Sequence, residues 1–350
     1  MGVENLMDPT QIKWVNSPGP EGDIVISSRV RLARNLNNVP FPHLLSEQEG
    51  KKIVTEVYST LKENPVFSHD IDIYNMNELS SEQKTMLSEM HLISPALTGA
   101  KSGAVVVNTD QTISIMINEE DHLRMQLMLP GLQLDEAFKQ IDKLDDLLEE
   151  KIDFAFDENI GYLTSCPTNV GTGLRASVMM HLPVLTMMDQ IGRIFSTISQ
   201  VGLVVRGLYG EGTQAKGNLY QISNQITLGK SEEDIIQNVS GVVKQIITSE
   251  RKIRQNLSGE ARIRLEDRIL RSYGALANAK LINSEEALTY LSDVRLGIDM
   301  GIIKDLNPSV INGLFITTGP AYIQEMSRES TTPLNRDLFR ADFIRQKIEK

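Results

Sequence analysis

The chain contains 350 residues, carries a net charge of −11 and has one cysteine. No run of about 18 apolar residues occurs, which excludes a membrane-spanning helix, and the N-terminus lacks the basic-then-apolar layout of a secretion signal. One cysteine cannot form an internal disulfide, so we expect a reducing, cytoplasmic environment. Because the five histidines are scattered and only one cysteine is present, a structural zinc site is not expected.

The negative charge is concentrated in the first part of the chain. Residues 251–350 carry 16 basic and 13 acidic side chains, which leaves a net charge of −14 for residues 1–250. An acidic body argues against direct nucleic-acid binding and favours a basic partner or substrate. Such a body would need a local cluster of arginines to bind an anion.

The first half of the chain is predicted to mix strands and helices. Residues 23–31 are predicted to form a strand, and its period of two places Arg29 and Arg31 on one face. A β-hairpin is predicted over 103–118. Periodic apolar residues predict helices over 46–62, 80–91 and 134–152.

The second half changes from strands to helices near residue 231. Residues 201–228 are predicted to form two strands around a glycine-rich connection, and Ser231 is predicted to cap a helix that runs to about residue 250. From residue 260 the pattern is helical, with breaks predicted near 274, 283 and 305–320. The pattern therefore predicts an α+β fold, with a domain of strands and helices over 1–254 and a helical domain over 255–350.

Five arginines of the first domain lie in segments rich in Gly, Ser and Thr or in acidic residues: Arg29, Arg31, Arg124, Arg175 and Arg206. Guanidinium groups are planar, permanently charged and bidentate, which suits them to hold the phosphates of ATP during phosphoryl transfer. The chain contains neither a P-loop nor a protein-kinase glycine-rich loop with its catalytic Asp. We therefore predict an arginine cage for ATP, with Mg²⁺ held by phosphate oxygens and water rather than by protein ligands.

Two carboxylates and a thiol indicate the phosphoryl acceptor. Glu120 follows a predicted strand, Glu211 lies in a glycine-flanked turn, and Cys166 stands in the polar run TSCPTNVGTGLRAS. Such groups are suited to bind a cation. An arginine side chain is a cation that becomes nucleophilic only when a carboxylate aligns it and accepts its proton. Considered alone, Cys166 would more often be a buried core thiol.

The motifs of the first domain resemble those of the phosphagen (guanidino) kinase family. The resemblance rests on the segments SSRVRLAR, INEEDHLR, CPTNVGTGLRAS, VRGLYGEG and ISN, which occur in the family's order over roughly residues 20–250. It implies an ATP:guanidino phosphotransferase. It also implies a catalytic domain built as an antiparallel sheet flanked by helices, followed here by an all-helical domain.

The resemblance implies roles for individual residues. Glu120 would be the general base, Glu211 the second carboxylate on the guanidinium, and Cys166 a contact to a guanidinium nitrogen. Met179 stands where the family has a histidine, which leaves the adenine contacts open. The implied ATP-binding residues are Ser27, Ser28, Arg29, Arg31, His91, Arg124, Arg175, Ser177, Met179 and Arg206.

Two features are similar to one branch of this family, the bacterial protein-arginine kinases of the heat-shock response. The SSRVRLAR segment begins at residue 27, so we expect no preceding domain that closes over a free amino acid, and a helical extension follows the catalytic part. The branch implies phosphorylation of arginine side chains in proteins, marking for a Clp-type protease, an activator protein and a homodimer. A kinase for free arginine or creatine, or a non-catalytic phosphoarginine-binding adaptor, remains the alternative.

Two further predictions concern the C-terminal helices. Arg336, Asp337 and Arg340 match an R-D-x-x-R-A motif of that branch, which implies a regulatory phosphoarginine pocket. The alternative for these three residues is an exposed polar helix face. The residues predicted to contribute to a dimer surface are Leu288, Leu291, Val294 and Ile298.

Overall fold

A large antiparallel sheet forms the centre of the molecule, as predicted. The computed structural model describes residues 3–65, 69–207, 215–327 and 332–349. The strands are β1 (Val25–Arg34), β2 (Ile71–Asn75), β3 (Ala104–Asn108), β4 (Ile113–Ile117), β5 (Leu123–Pro130), β6 (Phe156–Asp157), β7 (Gly161–Tyr162), β8 (Leu174–His181), β9 (Leu203–Gly207) and β10 (Leu219–Asn224). Strands β6 and β7 pair with each other, and the others form one sheet in the order β2-β3-β4-β5-β1-β8-β10-β9.

Helices flank the sheet and dominate the chain after residue 231, which confirms the α+β fold class. They are α1 (Lys13–Asn16), α2 (Glu47–Glu63), α3 (Ser81–Glu89), α4 (Leu134–Glu149), α5 (Pro183–Met187), α6 (Ile191–Gln200), α7 (Glu232–Asn256), α8 (Gly259–Asn278), α9 (Ser284–Asp299), α10 (Pro308–Thr317), α11 (Pro320–Ser327) and α12 (Pro333–Ile348). The hydroxyl of Ser231 accepts the N–H of Asp234 and so caps α7, as predicted. Across the described ranges, no helix has the length and apolar character that crossing a bilayer requires.

Two of the predicted helix breaks are wrong. Helix α8 continues through Gly274, because a single glycine inside a helix costs only about 1 kcal/mol and the packing of its neighbours outweighs that cost. Helix α10 lies inside the predicted break at 305–320. Pro308 occupies its first turn, where the missing N–H has no helical partner to lose, so the proline begins a helix there rather than ending one.

One face of the sheet is apolar and is covered by helices. Val30 and Leu32 of β1 belong to one buried cluster with residues of α4 and α7, including Ile141 and Val239. Alternate residues of a strand point to opposite faces, so the same strand presents Arg29 and Arg31 on the other side. Burial of each such apolar side chain is worth about 1.5–3 kcal/mol, which fixes the strand's register and thereby the side of the sheet that carries the arginines.

The C-terminal helices pack against the remaining part of that second face. Trp14 and Met179 belong to the same buried cluster as residues of α9, α10 and α11. Leu291 and Val294 are fully buried there, Leu288 is nearly so, and Ile298 packs against the cluster. The prediction of a dimer surface is therefore wrong for Leu288, Leu291 and Val294, which belong to the core of their own chain. Ile298 is only partly buried, and for this residue the prediction stays untested.

Arg34 ends β1 as a buried structural residue. Its Nε donates to both carboxylate oxygens of Asp145 on α4, at 3.1 and 3.0 Å. Its Nη1 donates to the carbonyl oxygens of Ala33 and Thr172, and its guanidinium carbon lies 3.4 Å from the centre of the Tyr162 ring. The contacts with Asp145 and Thr172 link β1 to α4 and to the segment that precedes β8.

We expect Arg34→Ala to lower the free energy of unfolding by about 3–5 kcal/mol, because Asp145 would be left as a buried charge without a partner. Urea denaturation measures this change. Arg264→Ala is the matched control: Arg264 pairs with Glu260 on the surface of α8, where such a pair is worth at most about 1 kcal/mol. Equal effects of the two substitutions would contradict the structural role of Arg34.

Candidate active site

A cavity of about 1080 Å³ lies over the polar face of the central strands. The end of α3 and the segment that follows it form one wall. Five arginines that the sequence singled out line the cavity: Arg29, Arg31, Arg124, Arg175 and Arg206.

Strand register brings these arginines together. Arg31 of β1 lies opposite Arg175 of β8, and Arg124 of β5 lies opposite Ala33 on the other side of β1. Arg206 of β9 lies opposite Gln221 of β10. Residues distant in the chain therefore meet on adjacent strands, whose axes lie about 5 Å apart.

The arginine cluster lacks the negative charge that would balance it. Burial, reinforced by the charges of Arg124 and Arg175, lowers the pKa of the Arg29 guanidinium to about 9. Burial is likewise the main cause that lowers the pKa of Arg31 and of Arg175. Within the described residues, the Nε atoms of Arg31 and Arg175 are buried without a hydrogen-bond partner. Buried donors of like charge are costly unless an anion binds them, so the cluster is built to receive one.

Gln221 orients Arg29 and was missed by sequence reasoning. Its Oε1 accepts a hydrogen bond from Arg29 Nη2 at 2.6 Å, and it lines the cavity. Ser177 contacts the same arginine more weakly, at 3.4 Å from Nε. The alternation of side chains along a strand could have identified it. Gln221 lies two residues before Ser223 of the ISN segment, so both side chains point to the same face, and Ser223 contacts Arg175 there.

The two adjacent glutamates of the INEEDHLR segment have different surroundings. Glu119 is buried, its carboxylate accepts two hydrogen bonds from Arg124 Nη1 at 2.9 and 2.8 Å, and it also accepts one from Ser94. Glu120 is exposed at the cavity rim. Only Glu120 is therefore free to meet a substrate cation, while Glu119 holds Arg124 in place.

Glu120 and Cys166 lie side by side. Although Glu120 reaches the cavity rim, partial burial of its carboxyl is the largest cause that raises its pKa, the charge of Asp121 raises the pKa further, and a hydrogen bond with the Cys166 side chain acts in the opposite direction. Cys166 is half-buried, and its Sγ also lies 3.0 Å from Thr168 Oγ1. The structure thus brings a carboxylate and a thiol together beside the arginine cluster.

Asn35 joins the two loops that carry these groups. Its Nδ2 donates to Asp121 Oδ1 at 2.7 Å and to the carbonyl oxygen of Leu163 at 3.0 Å, while its Oδ1 accepts the N–H of His122. Asp121 Oδ1 also accepts the N–H of Ser165 at 2.7 Å. Because Asp121 follows Glu120 and Ser165 precedes Cys166, this network sets the distance between the two functional side chains.

His91 lines the cavity at the end of α3. It takes a left-handed conformation (φ 60°), in the position where a helix commonly ends with glycine, and its N–H bonds the carbonyl of Ser88. Gln126 Nε2 donates to its carbonyl oxygen at 2.7 Å. Burial, with a smaller effect from Arg29, lowers the pKa of His91 to about 3, so its ring is neutral at physiological pH.

Several residues implied by the resemblance do not line the cavity. Ser28 faces the opposite side of the sheet, where its hydroxyl donates to Gly131 O and accepts the N–H of Gln133, so alternation excludes it from the arginine cluster. Met179 is only 8% exposed and packs in the core with the C-terminal helices. Ser27 is buried on β1. Glu211 lies outside the described residues.

The R-D-x-x-R-A residues lie on α12, away from the cavity. Arg340 is buried, and its guanidinium donates to the carbonyl oxygens of Thr318 and Ile282 and to Asp337. Arg336 and Asp337 are half-buried. Arg340 therefore binds main-chain carbonyls and Asp337, whereas Arg336 and Asp337 are both more accessible than Arg340.

The carboxylates near the arginines bear on how a Mg²⁺ ion could be held. The described residues contain no group of three or more His, Cys, Asp or Glu side chains that could hold a metal ion. Glu119, a cavity carboxylate beside the arginines, is already bound to Arg124 and Ser94. These residues fit a Mg²⁺ ion that keeps its water and phosphate ligands.

Comparison with known proteins assigns the family. The model for the C-terminal catalytic domain of ATP:guanido phosphotransferases matches residues 52–253, and the model for the C-terminal domain of the protein-arginine kinase McsB matches residues 262–350. A protein-arginine kinase from Halalkalibacterium halodurans is 50% identical, covering 100% of this chain and 98% of the relative. One from Bacillus subtilis is 47% identical, covering 99% and 96%.

Solved structures agree with this assignment. A lombricine kinase superposes with a TM-score of 0.60 at 26% identity and covers 72% of each chain. A duplicated taurocyamine kinase from Schistosoma mansoni gives a TM-score of 0.58 at 24% identity, covers 77% of this chain and 40% of the other, and supports the fold alone. The family models, the full-length relatives and the arginine-lined cavity together show that the chain belongs to the ATP:guanido phosphotransferase family.

Proposed function

We propose that the protein transfers the γ-phosphoryl group of ATP to the guanidinium of arginine side chains in proteins. Phosphoryl transfer between ATP and a guanidino group is the chemistry of its family. The observation that carries the proposal is the pair of buried, unpartnered Nε atoms of Arg31 and Arg175, in a cavity that Glu120 also lines. The site thus offers one region for a polyanion and an adjacent one for a cation.

The reaction follows from this separation of charge. The arginine cluster would hold the triphosphate and stabilise charge on the transferred group, and Mg²⁺ bound to the phosphates would neutralise part of that charge. Glu120 and Glu211 would orient the substrate guanidinium, with Cys166 contacting one of its nitrogens. As the N–P bond forms and the bond to the β-phosphate oxygen breaks, Glu120 would accept the guanidinium proton.

Protein-borne arginine is the acceptor that the observations favour. The relatives that match over nearly their whole length are named protein-arginine kinases. Glu120 is exposed at the cavity rim, where a side chain projecting from another polypeptide can reach it. The body is acidic, which favours basic polypeptides. Incubation with ATP and either free arginine or an arginine-rich unfolded protein tests the choice, with phosphosites mapped by mass spectrometry under conditions that spare the N–P bond.

Several finer features stay proposals. We infer a catalytic domain over 1–254 and a helical domain over 255–350, a homodimer, and a cytoplasmic location. A phosphoarginine pocket at Arg336, Asp337 and Arg340 would make the enzyme allosteric, and an activator protein and a Clp-type protease in a stress response would be its partners. The resemblance supports each of these, and light scattering at micromolar concentration tests the homodimer.

We expect Glu120→Gln to lower kcat by about 10²–10⁴-fold while leaving ATP affinity nearly unchanged, because the amide cannot accept the guanidinium proton. Initial rates on an arginine-rich polypeptide and calorimetric ATP titration measure the two quantities. Glu158→Gln, at an exposed position, is the matched control and should match the wild type. Near-normal turnover by Glu120→Gln would remove this residue from the role of base.

The pH profile should depend on Asp121. Burial and the charge of Asp121 raise the pKa of Glu120 above 4.5, and the base acts ionised, so the rate should fall as pH drops through this raised value. Asp121→Asn removes the negative charge that raises the pKa of Glu120 and keeps the shape of the side chain. We therefore expect the acid limb of kcat/KM to move to lower pH. A midpoint that stays in place or rises would contradict the coupling between these carboxylates.

Cys166→Ser should lower kcat by about 10- to 100-fold, the kinetic equivalent of losing a contact to a charged group worth about 1.5–3 kcal/mol. Its ATP affinity should stay near that of the wild type, since the thiol lies beside Glu120. Arg31→Ala is the opposite control, expected to weaken ATP binding first. A Cys166→Ser variant that loses ATP affinity and keeps kcat would move the thiol to the nucleotide side.

A further inference from the structure

Glu89 connects the cavity to the C-terminal helices. It is the last residue of α3 and lines the cavity together with Thr85 and Ser88 of the same helix. Its carboxylate does not remain free in the cavity. Both oxygens accept the N–H of Ala321 at 3.1 Å, and Oε2 also accepts the N–H of Tyr322 at 2.9 Å.

These hydrogen bonds supply a cap that α11 lacks in its own sequence. Gly319 stands at the N-cap position, where it offers no side-chain oxygen, and Pro320 has no N–H. The next two N–H groups, those of Ala321 and Tyr322, therefore need an acceptor from elsewhere. A carboxylate is the favoured partner at this end of a helix because it also meets the positive end of the helix dipole.

The close approach depends on Gly319. A Cβ atom on this residue would lie 2.3 Å from Glu89 Oε2, so any other side chain would displace the carboxylate. On the far side of the same turn, Arg340 of α12 donates to the carbonyl oxygen of Thr318 at 2.9 Å. The turn before α11 is thus held by one residue from the catalytic part and one from α12.

We propose that Glu89 is a positioning residue for ATP binding: by capping α11 it fixes the last turn of α3, and with it the His91 wall of the cavity. His91 directly follows this turn, and its N–H bonds the carbonyl of Ser88. The affinity for ATP then depends on whether α11 is docked, and the docking of α11 depends in return on bound ATP. The inference rests on the proposed placement of ATP in this cavity.

Two variants and one exchange measurement test this role. Glu89→Gln is nearly isosteric but turns an amide NH₂ toward the helix N–H groups, and we expect it to raise the Kd for ATP about fivefold while kcat at saturating ATP stays within about twofold. Gly319→Ala should shift the Kd in the same direction. Glu82→Gln, at an exposed position of α3, is the matched control and should behave as the wild type.

Hydrogen exchange supplies a readout that simple destabilisation would not reproduce. In the wild type, ATP should slow the exchange of the amides of Ala321 and Tyr322, and in Glu89→Gln this ATP-dependent protection should be lost. The inference would be overturned if Glu89→Gln bound ATP as tightly as the wild type. It would also be overturned if ATP did not change the exchange of the Ala321 and Tyr322 amides in the wild type. If the wild type itself bound no ATP, the proposed function would fail instead, so the two failures are distinguishable.

Discussion

Mutual repulsion among buried guanidinium groups is the constraint on which the site depends. Arg29, Arg31 and Arg175 lie on adjacent strands, and burial together with neighbouring positive charge lowers the pKa of Arg29 to about 9. The sheet tolerates this arrangement because its opposite face is a large apolar core that holds the register. Glu119 neutralises Arg124, and the remaining positive charge is left for an anionic substrate.

A hydrogen-bond network holds Glu120, the proposed general base, in place beside Cys166. Asn35 and Asp121 tie the loop of Glu120 to the loop of Cys166. Asn35 immediately follows the buried brace formed by Arg34 and Asp145. Strand β1 provides apolar residues to the core and two arginines to the cavity, and Asn35, the residue that follows it, anchors the loops of Glu120 and Cys166. These separate roles explain why β1, a mostly buried strand, contains several polar residues.

The C-terminal helices belong to the same packed structure as the sheet. Apolar side chains of α9 share a buried cluster with Trp14 and Met179, and Glu89 of α3 caps α11. An apolar stripe on a helix indicates that one face is buried, but it does not indicate whether the same chain or a second subunit covers that face. For this reason Leu291 and Val294 could be mistaken for a surface between subunits when they pack within their own chain.

Local pattern was sufficient for much of the fold. Period-two alternation placed Arg29 and Arg31 on one face of β1, the hairpin over 103–118 formed as expected, and Ser231 capped α7. The resemblance of several motifs to those of the guanidino kinases was sufficient to identify the phosphotransferase chemistry, which the family match confirms. Helix ends were less predictable, because packing outweighs the small cost of Gly274 inside α8 and because Pro308 begins α10 instead of interrupting a helix.

Tertiary structure decided which of these residues meet. The contact of Gln221 with Arg29 and the placement of Ser28 on the opposite face depend on partners more than a hundred residues distant. The different surroundings of Glu119 and Glu120 depend on the contacts that Arg124 and Ser94 make with Glu119 alone. The cap that Glu89 provides to α11 joins residues 232 positions apart. Residue type and short-range spacing determined the chemistry available to this chain, whereas long-range packing decided where that chemistry could act.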